Sequence, residues 1–285
     1  MPSTPRLLIV GCGDLGGGVA ELAVARGWQV SGVRRRGDVP AGVERIVADV
    51  TEPASLAPLA ALRPDFVLVA LTPGGFSDDA YRRTYVDGLR HLLSALDHRT
   101  LRHLLWVSSI GVHHQNDGSL VDELSPTLPT SFSGRRLLQA EQLLEAAALP
   151  HSCVRFGGIY GPGRERLLRQ LREGRRTRAE PLRYSNRIHR DDCVGVLDFL
   201  LQRAAAGREL DPRYIGVDTE PAPIAQIEQW FADHLGLDYA AMTQSDGELR
   251  GGNRRCSSAR LQALGYRFRY PSFREGLPTL VATVR

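Results

Sequence analysis

Two rhythms of apolar positions take turns along residues 6–217. Short, near-continuous apolar runs at 7–10, 28–34, 43–50, 65–71, 103–108, 152–156 and 214–217 predict strands buried on both faces. Between them the apolar positions spread to helical spacing: Leu15, Val19, Leu22 and Ala23 after the first run, then 54–62. A long helix over 78–96 has Tyr81, Tyr85, Leu89, Leu92, Leu93 and Leu96 on its apolar side, and further helices follow at 133–148 and 191–205, with Asp191 or Asp192 as cap of the latter. This alternation predicts an α/β fold, a Rossmann-like doubly wound parallel sheet. Beyond Gly157 the rhythm changes. Tyr160-Gly-Pro-Gly163 is turn chemistry, 188–190 is a short strand, and 224–235 and 257–264 are amphipathic helices, the second closed by Gly265. Residues 1–157 with about 187–217 are expected to form the nucleotide-type domain. Residues 158–186 and 218–285 are expected to build a smaller C-terminal α/β substrate lobe.

The chain of 285 residues can bury such a core without disulfides. Its four cysteines, Cys12, Cys153, Cys193 and Cys256, are scattered without metal-ligand spacing, which predicts reduced thiols and a cytoplasmic location. No apolar run approaches the roughly 20 residues that span a bilayer, so no membrane partner is expected. Net charge is +4, and all 36 basic residues are arginine; the chain contains no lysine.

The first strand breaks into Gly11-Cys-Gly13-Asp-Leu-Gly16 and a helix opens at once. Strand, glycine turn and helix in that order form the context of a dinucleotide fingerprint. Gly11 permits the tight turn, Gly13 lets a pyrophosphate approach the backbone, and Gly16 lets helix and strand pack closely. The helix start at Asp14 and Leu15 offers amides and a partial positive charge to the phosphates. The end of the second strand faces the adenosine ribose in this fold, where an acid selects NAD and an arginine accommodates the 2′-phosphate of NADP. Here that position is Arg34, followed by Arg35 and Arg36, with no carboxylate between Trp28 and Gly37. NADP is therefore the expected cofactor. Asp49 and Val50, ending the third strand, suit the adenine edge, although Asp49 also suits a strand-end cap.

Five segments in order resemble the extended short-chain dehydrogenase/reductase superfamily, in its epimerase/dehydratase branch: the glycine turn, Leu105–His113, Val154–Gly163, Asn186–Asp192, and Leu264-Gly-Tyr-x-x-x-Tyr-Pro271 with Glu275-Gly-Leu277. The resemblance places the catalytic serine on Ser109, and lines the cofactor further with Ala70, Leu71, Thr72, Ser108 and Phe156. It also implies a Tyr-x-x-x-Lys pair on the following helix, where the tyrosine moves a proton and the lysine lowers its pKa. Anchored on Gly134 and Glu141, those positions hold Ser133 and Leu137; shifted by one they hold Phe132 and Arg136. The segment resembles an atypical branch carrying Ser133-Gly134-Arg135. Candidate surrogates are Tyr85, where the family has an asparagine, Tyr160 in the Tyr-Gly-Pro turn, and His113, the one candidate that titrates near neutrality. Each also has a plain reading: packing aromatic, turn residue, surface loop. Arg155, on a buried strand, requires a carboxylate or backbone partner.

Ten arginines between Arg164 and Arg190 suit a phosphorylated or nucleotide-sugar substrate, Arg164 and Arg187 first. Most of them equally suit a solvated helix face, and few aromatics interleave them, which argues against nucleic acid. Two functions are thus expected to compete: an NADP-dependent oxidoreductase or epimerase acting on a small carbonyl or hydroxyl compound, and a non-catalytic NADP(H)-binding redox sensor. A homodimer is compatible with either.

Overall fold

The computed structural model describes residues 4–245 and 252–282. Seven strands form the central sheet: β1 (Arg6–Val10), β2 (Gln29–Val33), β3 (Glu44–Ile46), β4 (Phe66–Val69), β5 (His103–Ser109), β6 (His151–Phe156) and β7 (Arg213–Gly216). Their spatial order is β7-β6-β5-β4-β1-β2-β3. Pairings from β5 across to β3 are parallel, with Val10 opposite Val33 on one side and Val69 on the other. The chain winds outward in one direction from β1 to β3 and in the other from β4 to β7. The order reverses between β1 and β4, which opens a crevice at their carboxyl ends, where doubly wound sheets take ligands.

Every residue of β4 is buried, as are Leu7–Val10 of β1, in keeping with the unbroken apolar runs. Helix α1 (Asp14–Ala25) buries Leu15, Val19, Ala20 and Ala23 but exposes Leu22, which the periodicity had placed on the apolar side. The long helix α2 has three parts: a helical turn Asp78–Tyr81, a π-helical segment Arg82–Asp87, and an α-helix Gly88–Ala95. Helix α3 runs Phe132–Ala146 and helix α4 Arg190–Ala205. Leu8, Val10, Val67, Val69, Leu104 and Trp106 of the strands pack with Leu89 and Leu92 of α2 and Leu144 of α3. A leucine removed from such a core costs about 2–5 kcal/mol.

The chain divides into two compact units: residues 1–112, 127–155 and 194–214, and residues 113–126, 156–193 and 215–285. The boundary differs from the sequence expectation in giving 113–126, 156–157, 187–193 and 215–217 to the second unit. Two short parallel pairings link 113–126 and 187–193 within it. Leu120–Val121 pairs with Arg255–Cys256, and Arg187–His189 with Gly158–Tyr160. The second unit has its own core of Tyr160, Leu168, Ile227, Phe231, Phe273 and Leu277. The helix Arg166–Arg172 there buries Leu167, Leu168 and Leu171 and turns Arg166, Arg169 and Arg172 to solvent.

Among the described residues no helix is long and apolar enough to cross a membrane. No group of three or more His, Cys, Asp or Glu residues there could hold a metal ion.

Candidate functional site: a dinucleotide crevice

Gly11 leaves β1 with φ +92°, a backbone conformation that side chains resist. A Cβ at Gly11 would collide with the carbonyl oxygen of Ala70 at the exit of β4, and one at Gly16 with the carbonyl oxygen of Gly11. Two glycines are therefore required by the crevice itself. Gly13 differs, because nothing lies within 4 Å of a Cβ built there. The turn is held from outside: the amides of Gly11 and Cys12 both donate to the Val33 carbonyl, at 3.1 and 3.0 Å. Gly13 is also the N-cap of α1 and has no side chain to bond the first-turn amides. These residues fit a pyrophosphate: a rigid turn, an open flank and an uncapped helix start at Asp14 and Leu15. Cys12 is fully buried, with its Sγ against Gly32, and burial raises its thiol pKa, so it is a filler in the turn.

At the exit of β2 the arginines are engaged only lightly. Arg34 donates from Nη1 to the Asp38 carbonyl at 2.5 Å, within its own loop. Arg35 reaches Asp49 at 3.5 Å in an exposed ion pair, an interaction typically worth under about 1 kcal/mol. Asp49 accepts from the Thr51 amide and hydroxyl, both at 2.9 Å, in a self-contained turn. Burial pushes its carboxyl upward, but the Thr51 bonds and Arg35 outweigh this and hold it below the usual range. Val50 packs on Gly88, and its carbonyl binds His91 Nδ1 at 2.8 Å. Ala70 and Leu71 are half-buried and Thr72 exposed at the β4 exit.

The two serines ending β5 differ. Ser108 is buried and donates its hydroxyl proton to Glu141 Oε1 at 2.6 Å. Glu141 also receives Arg155, from Nε at 3.1 Å and Nη2 at 2.6 Å, with both side chains almost wholly buried. Glu141 is thus the carboxylate partner that Arg155 required. Ser109 Oγ instead accepts from the Gly111 amide at 3.1 Å, which orients the oxygen and leaves its proton to be donated elsewhere.

Helix α3 starts against this turn: a Cβ at Gly134 would collide with the Gly111 carbonyl oxygen, and Ser131 Oγ caps the helix by accepting from the Gly134 amide at 3.1 Å. Ser133 Oγ lies 3.2 Å from Ser131 Oγ, Leu137 is in the core, and Arg136 is held by both Asp78 oxygens at 2.8 and 2.7 Å. Tyr85, on the π-helical segment, donates to the Leu71 carbonyl at 3.3 Å and sits edge-on to Trp106. Burial, with Tyr81 nearby, raises its hydroxyl well above the ordinary value.

Phe156, Tyr160, His113, Arg164 and Arg187 fall in the second unit. The Phe156 ring covers Gly216, whose missing Cβ makes the space. Tyr160 is 4% exposed, its ring lies edge-on to His189 at 5.4 Å, and its hydroxyl sits where a Cβ at Gly276 would be. Burial again raises that hydroxyl, with Asp218 adding to it. His113 is buried, which corrects the surface-loop reading, and its carbonyl accepts from Arg254 at 2.8 Å. Arg164 is exposed and Arg187 half-buried. Asp192 does not cap its own helix. It binds the Tyr266 hydroxyl and the Arg269 and Tyr270 amides at 2.8–2.9 Å. Sequence reasoning missed Asp218, which is 2% exposed and whose carboxyl burial pushes up to about 8.

Residues 11–193 match a family described as NAD(P)H-binding, with the match beginning at the first glycine of the turn. The chain belongs to this NAD(P)H-binding family. Protein YeeZ of Escherichia coli K12 is 30% identical over 93% of the chain and 96% of its own length. A 3-diazoavenalumate denitrifying reductase of a Streptomyces species is 26% identical over 95% of the chain and 99% of its own length. A solved structure from Methylobacillus flagellatus, titled as an NAD-dependent epimerase/dehydratase, covers 99% of the chain and all of its own at a TM-score of 0.83 and 38% identity. The protein is thus a member of an NAD(P)H-binding family that carries its glycine turn at the crevice between β1 and β4.

Proposed function

We propose that the protein is an NADP-preferring oxidoreductase that reduces a small carbonyl compound, with Ser109 binding the reacting oxygen. The observation that carries this reading is Arg34–Arg36 at the exit of β2, beside the open flank of Gly13 and with no carboxylate at the ribose position. A doubly charged 2′-phosphate outcompetes the Asp38 carbonyl and the exposed Asp49 pair for two guanidinium groups. Gly11, Gly13 and Gly16 would hold the pyrophosphate, with the amides from Asp14 and Leu15, while Ala70, Leu71 and Thr72 line the other wall. When bound, the nicotinamide supplies a hydride. Ser109, oriented by the Gly111 amide, donates its proton in a hydrogen bond to the carbonyl oxygen as charge grows there. Tyr85 is the proton source favoured within the same unit. Its raised pKa keeps it protonated through the neutral range, and an alkoxide is a stronger base than the phenolate it leaves. The same shift makes Tyr85 a poor general base at neutral pH.

Titration calorimetry tests the cofactor: NADPH binds more tightly than NADH, and Arg34→Asp reverses the order. Equal affinities in the parent protein overturn the NADP preference. Turnover of carbonyl compounds with NADPH tests the chemistry, and Ser109→Ala lowers kcat by roughly 100-fold. The second reading, a non-catalytic NADP(H) sensor, is favoured by Ser133 and Leu137 standing where the family's proton-transfer pair is expected. NADPH binding without turnover of any carbonyl compound or nucleotide sugar selects it.

A further inference from the structure

Beside Ser109 the first unit carries a chain of aromatic rings that the cofactor reading does not use. Phe76 lies 5.0 Å from Phe132 and 5.7 Å from Tyr81, and Tyr81 lies 5.4 Å from both Phe132 and Tyr85. Two contacts fix this group at the reaction end of the crevice. Phe132 begins the helix that packs through Gly134 on the turn after Ser109, and Tyr85 binds the Leu71 carbonyl at the β4 exit.

The face is open. Phe76 is 56% exposed, Tyr81 and Phe132 are half-buried, and Phe76 follows Gly74 and Gly75, where an added Cβ would meet nothing within 4 Å. The cations around it already have partners, Arg135 donating to the Thr130 carbonyl. Arg136 is committed to both oxygens of Asp78, and Arg82 to Asp79 and Asp87. Asp78 and Asp79 place carboxylates at the rim, and Ser131 already occupies the helix N-terminus that could otherwise serve an anion. A neutral, flat, apolar group is the complement of such a face, stacking offset or edge-on to the rings.

We infer that Phe76, Tyr81 and Phe132 form the wall that receives an aromatic ring of the substrate, so that the compound reduced is an aromatic carbonyl rather than a nucleotide sugar. This rests on the oxidoreductase reading and narrows its substrate class.

Benzaldehyde, cyclohexanecarboxaldehyde and UDP-glucose, each titrated into the NADPH-saturated protein, provide the test. Benzaldehyde is expected to bind more tightly than its saturated analogue. Phe76→Ser and Phe132→Leu are each expected to weaken it by roughly fivefold, the worth of one ring contact, while Phe132→Tyr retains it and NADPH affinity is unchanged in all three. Phe76 is exposed enough that its replacement leaves the fold intact, and circular dichroism checks this. UDP-glucose binding more tightly than benzaldehyde, or benzaldehyde binding indifferent to both substitutions, overturns the inference while leaving the oxidoreductase reading in place. Failure of NADPH itself to bind removes that reading, and the inference with it.

Discussion

The first unit uses one design twice, with opposite outcomes. At β1–α1 and at β5–α3 a strand ends, the chain turns, and a helix packs so tightly on the turn that a glycine must face a backbone carbonyl: Gly16 against Gly11, Gly134 against Gly111. The first junction then leaves an open flank at Gly13 and a helix start without a side-chain cap. The second satisfies its own polar groups. Ser131 caps its helix, Ser108 is bound to Glu141, and aromatic rings stand in front of it. Shared topology therefore does not make a phosphate site; unsatisfied amides with room in front of them do.

The largest expected effect breaks the second junction alone. Glu141→Ala removes the bidentate carboxylate from the buried Arg155 guanidinium and is expected to cost about 3–5 kcal/mol in urea unfolding. Next come the paired substitutions Gly16→Ala and Gly134→Ala, each expected to cost about 1–3 kcal/mol by overpacking. Only Gly16→Ala should also weaken NADPH in calorimetry; equal weakening by both would erase the distinction between the junctions.

A contrast with the second unit sharpens the role of pairing. Glu141 and Asp218 are both buried, yet Glu141 has a bidentate guanidinium, and no salt bridge reaches Asp218 among the described residues. Burial pushes the folded Asp218 carboxyl up to about 8, against about 3.9 for an unfolded aspartate. Its raised value means the folded state holds a proton that the unfolded state releases, so stability falls as pH rises from about 4 to about 8. Asp218→Asn removes that penalty: the variant is expected to gain on the order of 1–2 kcal/mol over the parent at pH 8, with the gain vanishing near pH 4, in thermal melts across that range. The smallest effect belongs to the cap: Ser131→Ala is expected to cost about 1 kcal/mol and to leave NADPH affinity untouched.

What the amino-acid pattern disclosed follows the range of the forces involved. The seven strands and the glycine turn are written in local runs, and all seven appear in the sheet, although Glu44 and Arg45 of β3 are exposed rather than buried. The third was expected over 43–50 but pairs only over Glu44–Ile46, because Asp49 closes a turn on Thr51 and takes the chain out of the sheet. The π-helical segment Arg82–Asp87 was invisible, since Tyr81, Tyr85 and Leu89 keep an i, i+4 spacing that reads as unbroken α-helix. Two- and three-residue strands of the second unit have no period to detect. Arg155 announced its need for a partner, but Glu141 lies 14 residues away and only the fold brings it in. Asp218 carried no signal at all, because its character comes from burial.

Gly13→Ala tests the central claim most directly. Its φ is −100° and its ψ −135°, and nothing lies within 4 Å of the new Cβ, so the variant is expected to fold, with circular dichroism and a thermal melt as the check. The added methyl group stands where the pyrophosphate must approach the backbone, so NADPH affinity measured by calorimetry is expected to fall by roughly tenfold or more. An unchanged NADPH affinity in the folded variant would contradict the assignment of this crevice to a dinucleotide.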